Sequence, residues 1–365
     1  MSRDDCYVVT FHSAWNYGAS LQAFATIEVL KRLGIKASLL DYVNHYAKQK
    51  TTFELLRDGE LKEACRVFVK DVVFKRKALH NRAFGPFHDS LPKSKQYGSV
   101  EELSEIEADC LIAGSDQIWS PGITGNLEPV FFLDFGNANK KISFASSLGN
   151  YRYSETEREI VKGYLSSFSH ISVRERRAAE YLSEFVDKDL FRCLDPTLML
   201  DAQFWDSFSE KPEGFDENER YIVVFNLARR SDEEIGLWKK MSQETGLPLW
   251  RICNNTYNEG TFDRLLTGMT PQEFVWILNH AAFVWTDSFH GTAFSVNLST
   301  PFAAMTPING NVSRIKDLLD LTHLSSRYVD EAKDVPFACD FLAAQDSLSA
   351  EREICTDWLN NALFN

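Results

Sequence analysis

The sequence predicts an α/β protein with parallel sheets, divided into two α/β halves. Short apolar runs alternate with amphipathic stretches, which is typical of β-α units around a parallel sheet. A chain of 365 residues also favours two domains, because single cores stop growing at roughly 250–300 residues. Pro196 interrupts the alternation within LDPTLML, which predicts a connector. We therefore predict domains at residues 1–194 and 195–345, followed by a terminal helix within 346–365 that packs back across the join.

Each element of the first half follows from its own pattern. Apolar runs predict strands, and apolar residues every three or four positions predict helices. Gly34 provides a stop for a helix whose apolar face carries Leu21, Phe24 and Ile27. The predicted order is a strand in Cys6–Phe11, a helix over Ala19–Gly34, a strand over Lys36–Tyr42, helices with basic patches over 52–95, and strands ending in polar residues within Asp109–Trp119, Lys140–Gly149 and His170–Leu182.

The second half repeats this alternation. Thr270 and Glu273 form a capping pattern with Pro271 at the first helical position, so a helix begins there. The predicted order is a strand over Tyr221–Asn226, a helix over Asp232–Gly246, a strand over Leu247–Cys253, a helix over Thr270–Ala281, a strand over Ala282–Ser288, a helix over Gly291–Ser299, a strand over Pro301–Met305 and a terminal helix over Ser347–Phe364.

Composition excludes several classes of protein. The net charge of −13, with no long basic run, argues against a general nucleic-acid binder. Seven singly scattered cysteines indicate reduced thiols in a cytoplasmic protein, and no carboxylate cluster has metal-ligand spacing. No apolar run is long enough to span a membrane. Peripheral membrane association stays an open alternative. The basic patch near residues 70–82 fits a phosphate or lipid surface less well than a solvated helix face.

The segment TDSFHG predicts a site at the end of a strand. A helix starting near Gly291 would direct its free amides and positive dipole end toward the turn, which suits a phosphate or carboxylate. His290 can transfer a proton near neutral pH. The predicted donor-side residues of this segment are Asp287, Ser288, Gly291 and Thr292, with His290 as the catalytic residue. The alternative is that Asp287 and Ser288 are ordinary helix caps and His290 a turn residue.

Polar residues also follow the strands of the first half, where ligands bind in open α/β sheets. Arg174 comes at the end of a predicted strand and could hold an anion, although Glu175 could simply pair with it. Trp119 beside a carboxylate could be a sugar platform, whereas a buried tryptophan is the commoner case. The predicted acceptor-side residues are Asn16, Tyr17, Gly18, Gln22, Ser115, Asp116 and Trp119.

Six segments together resemble the polysaccharide pyruvyl transferase family. They are TFHSAWNYGASLQAFATIEVLKRLG, LIAGSDQIWSP, ISVRERRAAEYL, CLDPTLML, TPQEFVWILNHAAFVWTDSFHGTAFSVNLSTPF and NGNVSRIKDLLDLTHLSSRYVD. They follow the family's order, and the resemblance covers roughly residues 7–330. The resemblance implies two Rossmann-like domains facing a cleft, as in GT-B glycosyltransferases. It implies transfer of pyruvate from phosphoenolpyruvate, the only co-substrate, to a sugar or lipid-linked oligosaccharide in cell-surface or exopolysaccharide biosynthesis. By motif match, His290 is the essential histidine and Arg174 a donor-binding arginine.

One position departs from the better-known family members. They carry an arginine two residues before the histidine, where this chain has Ser288. Arg174 or Arg314 would have to supply the missing cation. We expect closure of the two halves to complete the site, without a metal or resident cofactor. Two alternatives stay open: a glycosyltransferase that uses a nucleotide sugar, and a non-catalytic domain that binds glycan or a partner. Dinucleotide-binding, P-loop, serine-hydrolase and zincin motifs are absent from the sequence.

Overall fold

The chain forms two compact units in the computed structural model. The structure describes residues 6–43, 52–57, 59–73, 76–227, 230–253, 261–307, 312–330 and 335–365. Unit 1 consists of Met1–Lys48, Ser90–Leu200 and Asp346–Asn365, and unit 2 of Gln49–Asp89 and Asp201–Gln345. Each unit is built on parallel strands, so the predicted α/β class with two Rossmann-like units is confirmed.

Strands and helices alternate along both units. The strands are β1 (Cys6–Val9), β2 (Ala37–Leu39), β3 (Glu107–Ala113), β4 (Asn137–Ser143), β5 (Ile171–Val173), β6 (Leu190–Arg192), β7 (Ile222–Phe225), β8 (Leu249–Cys253), β9 (Arg264–Thr267), β10 (Phe283–Thr286), β11 (Phe302–Met305) and β12 (Tyr328–Val329). The α-helices are α1 (Tyr17–Arg32), α2 (Thr52–Arg57), α3 (Leu61–Phe68), α4 (Arg76–Ser90), α5 (Pro121–Thr124), α6 (Glu155–Ser166), α7 (Arg176–Leu182), α8 (Pro196–Met199), α9 (Ala202–Phe208), α10 (Asp232–Thr245), α11 (Pro271–His280), α12 (Phe289–Asn297), α13 (Ser313–Leu321) and α14 (Leu342–Phe364). A π-helical turn covers Val69–Val73, and 3₁₀ turns cover Glu101–Leu103, Pro129–Phe132 and Ser325–Arg327.

The sheet of unit 1 is parallel, with the order β2-β1-β3-β4. Strand β5 pairs with β6, and single bridges from Ile142 to His170 and from Ser146 to Val173 connect this pair to the region of β4. The order reverses between β1 and β3, which are neighbours although β2 separates them in the chain. Ligands of open α/β sheets bind beyond the carboxyl ends of the strands at such a reversal.

Unit 2 has the strand order of a doubly wound dinucleotide-binding fold. Its six parallel strands run β12-β11-β10-β7-β8-β9, so the order reverses between β7 and β10. In the register of these two strands, Val284 lies beside Val223 and Thr286 beside Phe225. Strand β10 is buried throughout, as expected for a central parallel strand with both faces covered.

Local sequence signals account for several helix ends. The predicted cap of α11 is confirmed, because Thr270 and Glu273 form a reciprocal capping box. Helix α1 ends at Arg32, and Gly34 follows with a left-handed φ of 78°. The predicted connector around Pro196 is instead the short helix α8. Its cap is Asp195, whose carboxylate accepts from the Thr197 amide, while proline occupies the first helical position.

The unit limits differ from the predicted domain limits in one segment. Residues 49–89 belong to unit 2, where the ring of Phe87 in α4 packs edge-on against Phe208 at 6.3 Å between centroids. Residues 346–365, the predicted terminal helix, return to unit 1, where Trp358 of α14 stacks on Phe191 at 5.0 Å. The main change of unit falls at Leu200–Asp201, close to the predicted boundary. Sequence alternation locates elements, but it does not say which core an amphipathic helix joins.

Candidate functional site

The predicted catalytic segment lies at the reversal of strand order in unit 2. Strand β10 ends at Thr286, and α12 begins at Phe289 after the turn formed by Asp287 and Ser288. His290 is therefore the second residue of α12, at the positive end of its dipole. It is 7% exposed, and its ring contacts that of Phe289 at 5.1 Å between centroids. The helix starts two residues earlier than the sequence analysis predicted.

Ser288 caps α12, and this changes the role of two predicted donor-binding amides. The Gly291 amide donates to Ser288 Oγ at 3.3 Å, and the Thr292 amide donates to the Ser288 carbonyl at 2.9 Å. The Thr292 hydroxyl also donates to this carbonyl, at 3.0 Å. These groups are used within the helix start, so they do not form the predicted anion clamp. Ser288 acts as the helix cap of the alternative interpretation.

Asp287 holds the loop after β7 instead of facing a donor. One carboxylate oxygen accepts from the Leu227 amide at 2.7 Å, and the other lies 2.6 Å from Nη2 of Arg230. Arg230 also pairs with Glu234 at 3.0 Å and donates to the Thr306 carbonyl at 2.8 Å. Arg230 was not among the residues predicted from the sequence. Its position shortly after the first strand of unit 2 was the available signal.

Arg314 is the predicted donor-side cation that the structure brings to the catalytic segment. It lies near the start of α13, and its Cζ is 5.6 Å from the centroid of the Phe289 ring. Phe289 in turn contacts His290. A guanidinium thus lies over the residue that separates Ser288 from His290. This arrangement places a positive charge against the ring of Phe289, the residue that precedes His290, although serine replaces the arginine of the motif.

Gly291 allows α12 to start close against β10. A Cβ at this position would lie 3.0 Å from Thr286 Cβ and 3.1 Å from Phe225 Cδ1, and it would also clash with Thr286 Oγ1. That hydroxyl accepts from the Ser288 amide at 3.1 Å, so it cannot move without disturbing the cap. The absence of a side chain at Gly291 therefore allows the first turn of α12, which carries His290, to pack close against β10.

We expect Gly291→Ala to lower the free energy of unfolding by about 1–3 kcal/mol, the usual cost of overpacking a buried site. The matched control is Gly236→Ala in α10, where an added Cβ meets nothing within 4 Å. That change should stabilise by up to about 1 kcal/mol through helix propensity. Urea unfolding of both variants measures the difference. Equal stability of the two variants would contradict the close packing at Gly291.

Arg174 lies at the carboxyl edge of unit 1 and is enclosed by carboxylates. Its Nη1 is 2.8 Å from Asp195, its Nε 3.1 Å from Glu175 and its Nη2 3.8 Å from Asp116. Burial alone would lower the pKa of Arg174, but Glu175, Asp195 and Asp116 raise it above its usual value. Three anions already surround this cation, so its charge is balanced within unit 1 and it anchors the strand ends.

The predicted acceptor-side residues fall into a buried group and an accessible group. Trp119 is 1% exposed and donates to the Phe131 carbonyl, so it cannot form a sugar platform. Gln22 is also buried and donates to Thr10 and to the Phe11 carbonyl, which fixes the loop after β1. The other buried members of the predicted group are Tyr17, Gly18 and Ser115. Asn16 is exposed and caps α1, and Asp116 is partly exposed.

Asp116 has an unusual backbone conformation for a carboxylate residue. Its φ is 76°, in the left-handed region that aspartate tolerates better than most side chains. Its carboxylate accepts from the Gln117 amide at 2.9 Å. Ser115, immediately before it, donates to Asp195 at 3.0 Å. The Arg174 cluster thus holds the turn that carries Asp116 at the carboxyl end of β3.

A histidine and an aspartate also meet at this edge of unit 1. The Nε2 of His12 lies 3.4 Å from Asp41 Oδ1, and its Nδ1 lies 3.1 Å from the Thr10 carbonyl. The hydrogen bond from His12 lowers the pKa of Asp41. Because both ring nitrogens already face oxygen atoms of the protein, His12 orients the loop after β1 and does not offer a nitrogen to a substrate.

Within the described part of the chain, no group of three or more histidine, cysteine, aspartate or glutamate residues is arranged to hold a metal ion. None of the helices described is both long enough and apolar enough to cross a membrane.

Comparisons with solved structures give similarities at low sequence identity and with TM-scores below 0.5. An uncharacterized protein of Klebsiella pneumoniae subsp. pneumoniae NTUH-K2044 is 13% identical with a TM-score of 0.46, over 90% of this chain and 94% of that chain. The UDP-GlcNAc 2-epimerase of Neisseria meningitidis bound to UDP-GlcNAc is 10% identical with a TM-score of 0.48, over 98% and 93%. The E. coli heptosyltransferase WaaC with ADP is 12% identical with a TM-score of 0.39, over 88% and 98%.

Comparison with protein families is more specific than comparison with solved structures. No curated protein matches the chain. The family described as polysaccharide pyruvyl transferase matches residues 16–309, which is most of the 365 residues and includes the segment around His290. The resemblance expected from the six sequence segments is confirmed. This chain therefore belongs to the polysaccharide pyruvyl transferase family.

Proposed function

We propose that this protein transfers pyruvate from phosphoenolpyruvate to two hydroxyls of a sugar, forming a ketal in a cell-surface or exopolysaccharide precursor. The observation that carries the proposal is the position of His290. It lies within the segment matched by the family and at the strand-order reversal of unit 2, where open α/β sheets bind ligands. Membership of the family supports a sugar or polysaccharide acceptor.

The reaction requires an acid and an anion-binding group. A proton is added to the methylene carbon of phosphoenolpyruvate, and a sugar hydroxyl attacks the neighbouring carbon. The first hydroxyl loses its proton, and phosphate leaves. Attack by a second hydroxyl, which also loses its proton, closes the ketal. One of these protons replaces the proton given by the acid, and the other leaves with the phosphate. The products are the ketal and inorganic phosphate. A positioned acid accelerates the first step, and a fixed cation stabilises the leaving phosphate.

Two side chains of unit 2 supply these functions in the proposal. His290 is the acid, because its ring stands at the first turn of α12 beside Phe289. Arg314 binds the phosphate or carboxylate of the donor, because its guanidinium lies over Phe289. Arg230 has a supporting role, since Asp287 and Glu234 already balance its charge. The dipole of α12 favours an anion at the start of the helix. The amides of Gly291 and Thr292 already donate hydrogen bonds to Ser288.

In unit 1, Asn16 and Asp116 are the predicted acceptor-side residues with accessible side chains. Both side chains have oxygen atoms that can accept hydrogen bonds from sugar hydroxyl groups and so orient them. We propose that these two residues contact the sugar, while Tyr17, Gly18, Gln22 and Ser115 give the loops their shape. The proposal needs no metal ion and no resident cofactor, with phosphoenolpyruvate as co-substrate.

Donor binding tests the proposal directly. We expect phosphoenolpyruvate to raise the melting temperature of the protein, because a ligand that binds only the folded state stabilises it. Arg314→Gln should weaken the apparent affinity by about tenfold to a hundredfold, the loss expected for a hydrogen bond to a charged group. Arg220→Gln is the matched control, since Arg220 is an exposed arginine of the same unit. It should bind the donor like the unaltered protein.

Product formation completes the test. The protein is incubated with phosphoenolpyruvate and a panel of nitrophenyl or lipid-linked sugars, and mass spectrometry looks for added pyruvate. Protection by a nucleoside diphosphate but not by phosphoenolpyruvate would support the nucleotide-sugar alternative. No protection by either ligand, together with no product, would support the non-catalytic alternative.

A further inference from the structure

Large apolar side chains are exposed together on one short segment of unit 2. Among the described residues, thirteen large hydrophobic side chains are strongly exposed, and six of them lie within residues 52–73. Phe53 is 76% exposed and Leu61 64%, and the other four are Leu56, Phe68, Val69 and Val72. Single exposed apolar residues are normal on protein surfaces, whereas a cluster of this kind marks an interaction surface.

The exposed residues of α3 form one face of the helix. Leu61, Cys65, Phe68 and Val72 follow each other at spacings of four, three and four along α3 and the π-helical turn, and all four are exposed. Residues at these spacings lie on the same side of a helix. Ala64, three residues after Leu61 and four before Phe68, is buried at the edge of this stripe. The helix thus buries little of its surface and presents most of its apolar stripe to solvent.

The neighbouring α2 extends this apolar surface. Leu55 is buried, while Phe53 and Leu56 are exposed. Helix α2 therefore packs Leu55 into the protein and presents two further apolar side chains, those of Phe53 and Leu56, to solvent. We call the exposed set Phe53, Leu56, Leu61, Phe68, Val69 and Val72 the apolar face.

The segment that carries the apolar face has a positive net charge in a chain that is acidic overall. Residues 52–82 contain eight lysines and arginines against five acidic residues, and most of the excess follows Leu61, whereas the whole chain has a net charge of −13. Lys62, Arg66 and Lys77 are described and exposed, and Arg66 also pairs with Glu63 at 2.7 Å. A helix that combines an exposed apolar stripe with flanking basic residues is typical of segments that lie in the interface of an anionic membrane.

We propose that the apolar face and its flanking basic residues bind the surface of an anionic phospholipid bilayer. The apolar side chains insert at the level of the acyl chains nearest the headgroups, and Lys62, Arg66 and Lys77 bind lipid phosphates. The charge pattern favours this occupant over a second copy of the chain, because a second copy would bring the same positive charge. The inference does not depend on the identity of the pyruvate donor.

Vesicle flotation with the full-length protein tests the inference. We expect binding to vesicles of phosphatidylcholine with about one-third phosphatidylglycerol, and weak binding to phosphatidylcholine alone, because anionic lipids attract basic residues near the surface. The combined variant Phe53→Ser, Leu61→Ser, Phe68→Ser, Val72→Ser should lose at least tenfold in its partition coefficient. The matched control replaces the exposed residues Ile123, Ile160, Leu342 and Ile354 by serine, and it should bind normally.

A second pair of variants tests the charges. Lys62→Gln, Arg66→Gln, Lys77→Gln should weaken binding to the anionic vesicles and reduce its dependence on salt. The control variant carries the same change at Lys36, Lys162 and Lys239, which are exposed elsewhere. A polarity-sensitive dye on the exposed thiol of Cys65 should shift to shorter emission wavelengths on vesicle binding, and Cys65→Ser removes this signal.

Two results would overturn the proposal. One is vesicle binding by the four-serine variant that equals that of the unaltered protein. The other is a dimer in the absence of lipid that this variant converts to a monomer, which would assign the apolar face to a second copy. Because flotation needs no donor, its failure is distinguishable from a failure of pyruvyl transfer.

Discussion

Replacing His290 by alanine is expected to reduce turnover by about 10²- to 10⁴-fold, the usual contribution of a positioned acid or base. The fold of unit 2 should survive, because Ser288 caps α12 through its own hydroxyl and its carbonyl accepts from Thr292. Steady-state kinetics with phosphoenolpyruvate over a range of pH measure the effect. The loss should appear in kcat, since the proton moves in the transition state and not on binding.

A second histidine of unit 2 provides the control. His280 stacks on Trp276 at 4.0 Å between centroids, at the end of α11. His280→Ala removes an imidazole of similar size outside the catalytic segment and should leave the pH profile unchanged. Full turnover by His290→Ala with the ordinary pH profile would rule out the assigned role.

We expect Arg174→Met to lower the free energy of unfolding by about 3–5 kcal/mol, because removing one partner leaves buried charges uncompensated. Asp195 and Glu175 are almost fully buried and would lose their counter-ion. The loss should be visible in urea unfolding, or as a low soluble yield if the variant does not fold. The expected effect on donor affinity is small. A donor-binding arginine would show the opposite result, with weak donor binding and normal stability.

Two further variants keep this prediction testable. Arg176→Met removes the neighbouring arginine, which is 67% exposed at its side chain and lies 3.7 Å from Glu180. It should cost less than about 1 kcal/mol, as exposed ion pairs do. Asp195→Asn keeps the size of the side chain while reducing the negative charge of the cluster. It should unfold at lower urea than the parent, since Asp195 accepts from Thr197 and Ser115 as well as from Arg174.

The alternation of apolar and amphipathic segments was enough to predict the sheets. Strands such as β7 and β10 are short apolar runs, and their burial in parallel sheets requires this composition. The assignment of α2–α4 to unit 2 was not predictable, whereas a terminal helix that returns to the first half was expected. The assignment of α2–α4 depends on contacts such as Phe87 with Phe208, between residues far apart in the sequence.

The catalytic segment could be predicted because its strand, turn and helix follow one another directly along the chain. His290 follows a strand and begins a helix, and both features are visible in the sequence. Arg174, Asp287 and Trp119 were harder to assign, because their roles depend on what surrounds them. Each has a polar or charged group that pairs with a residue distant in the sequence, such as Asp195, Arg230 or the Phe131 carbonyl. A single sequence gives the type of each residue but not the residues that surround it in the folded protein.

The division of the chain between the two units also sets an order for folding during synthesis. Unit 1 begins first, yet it is completed last, because it needs residues 346–365. All of unit 2 has been synthesised before these residues leave the ribosome. Until then, the surface that receives α14, including Phe191 and the Leu198 carbonyl, lacks its partner. Unit 1 therefore cannot complete its core until the last segment of the chain has been made, whereas every segment of unit 2 is made before that point.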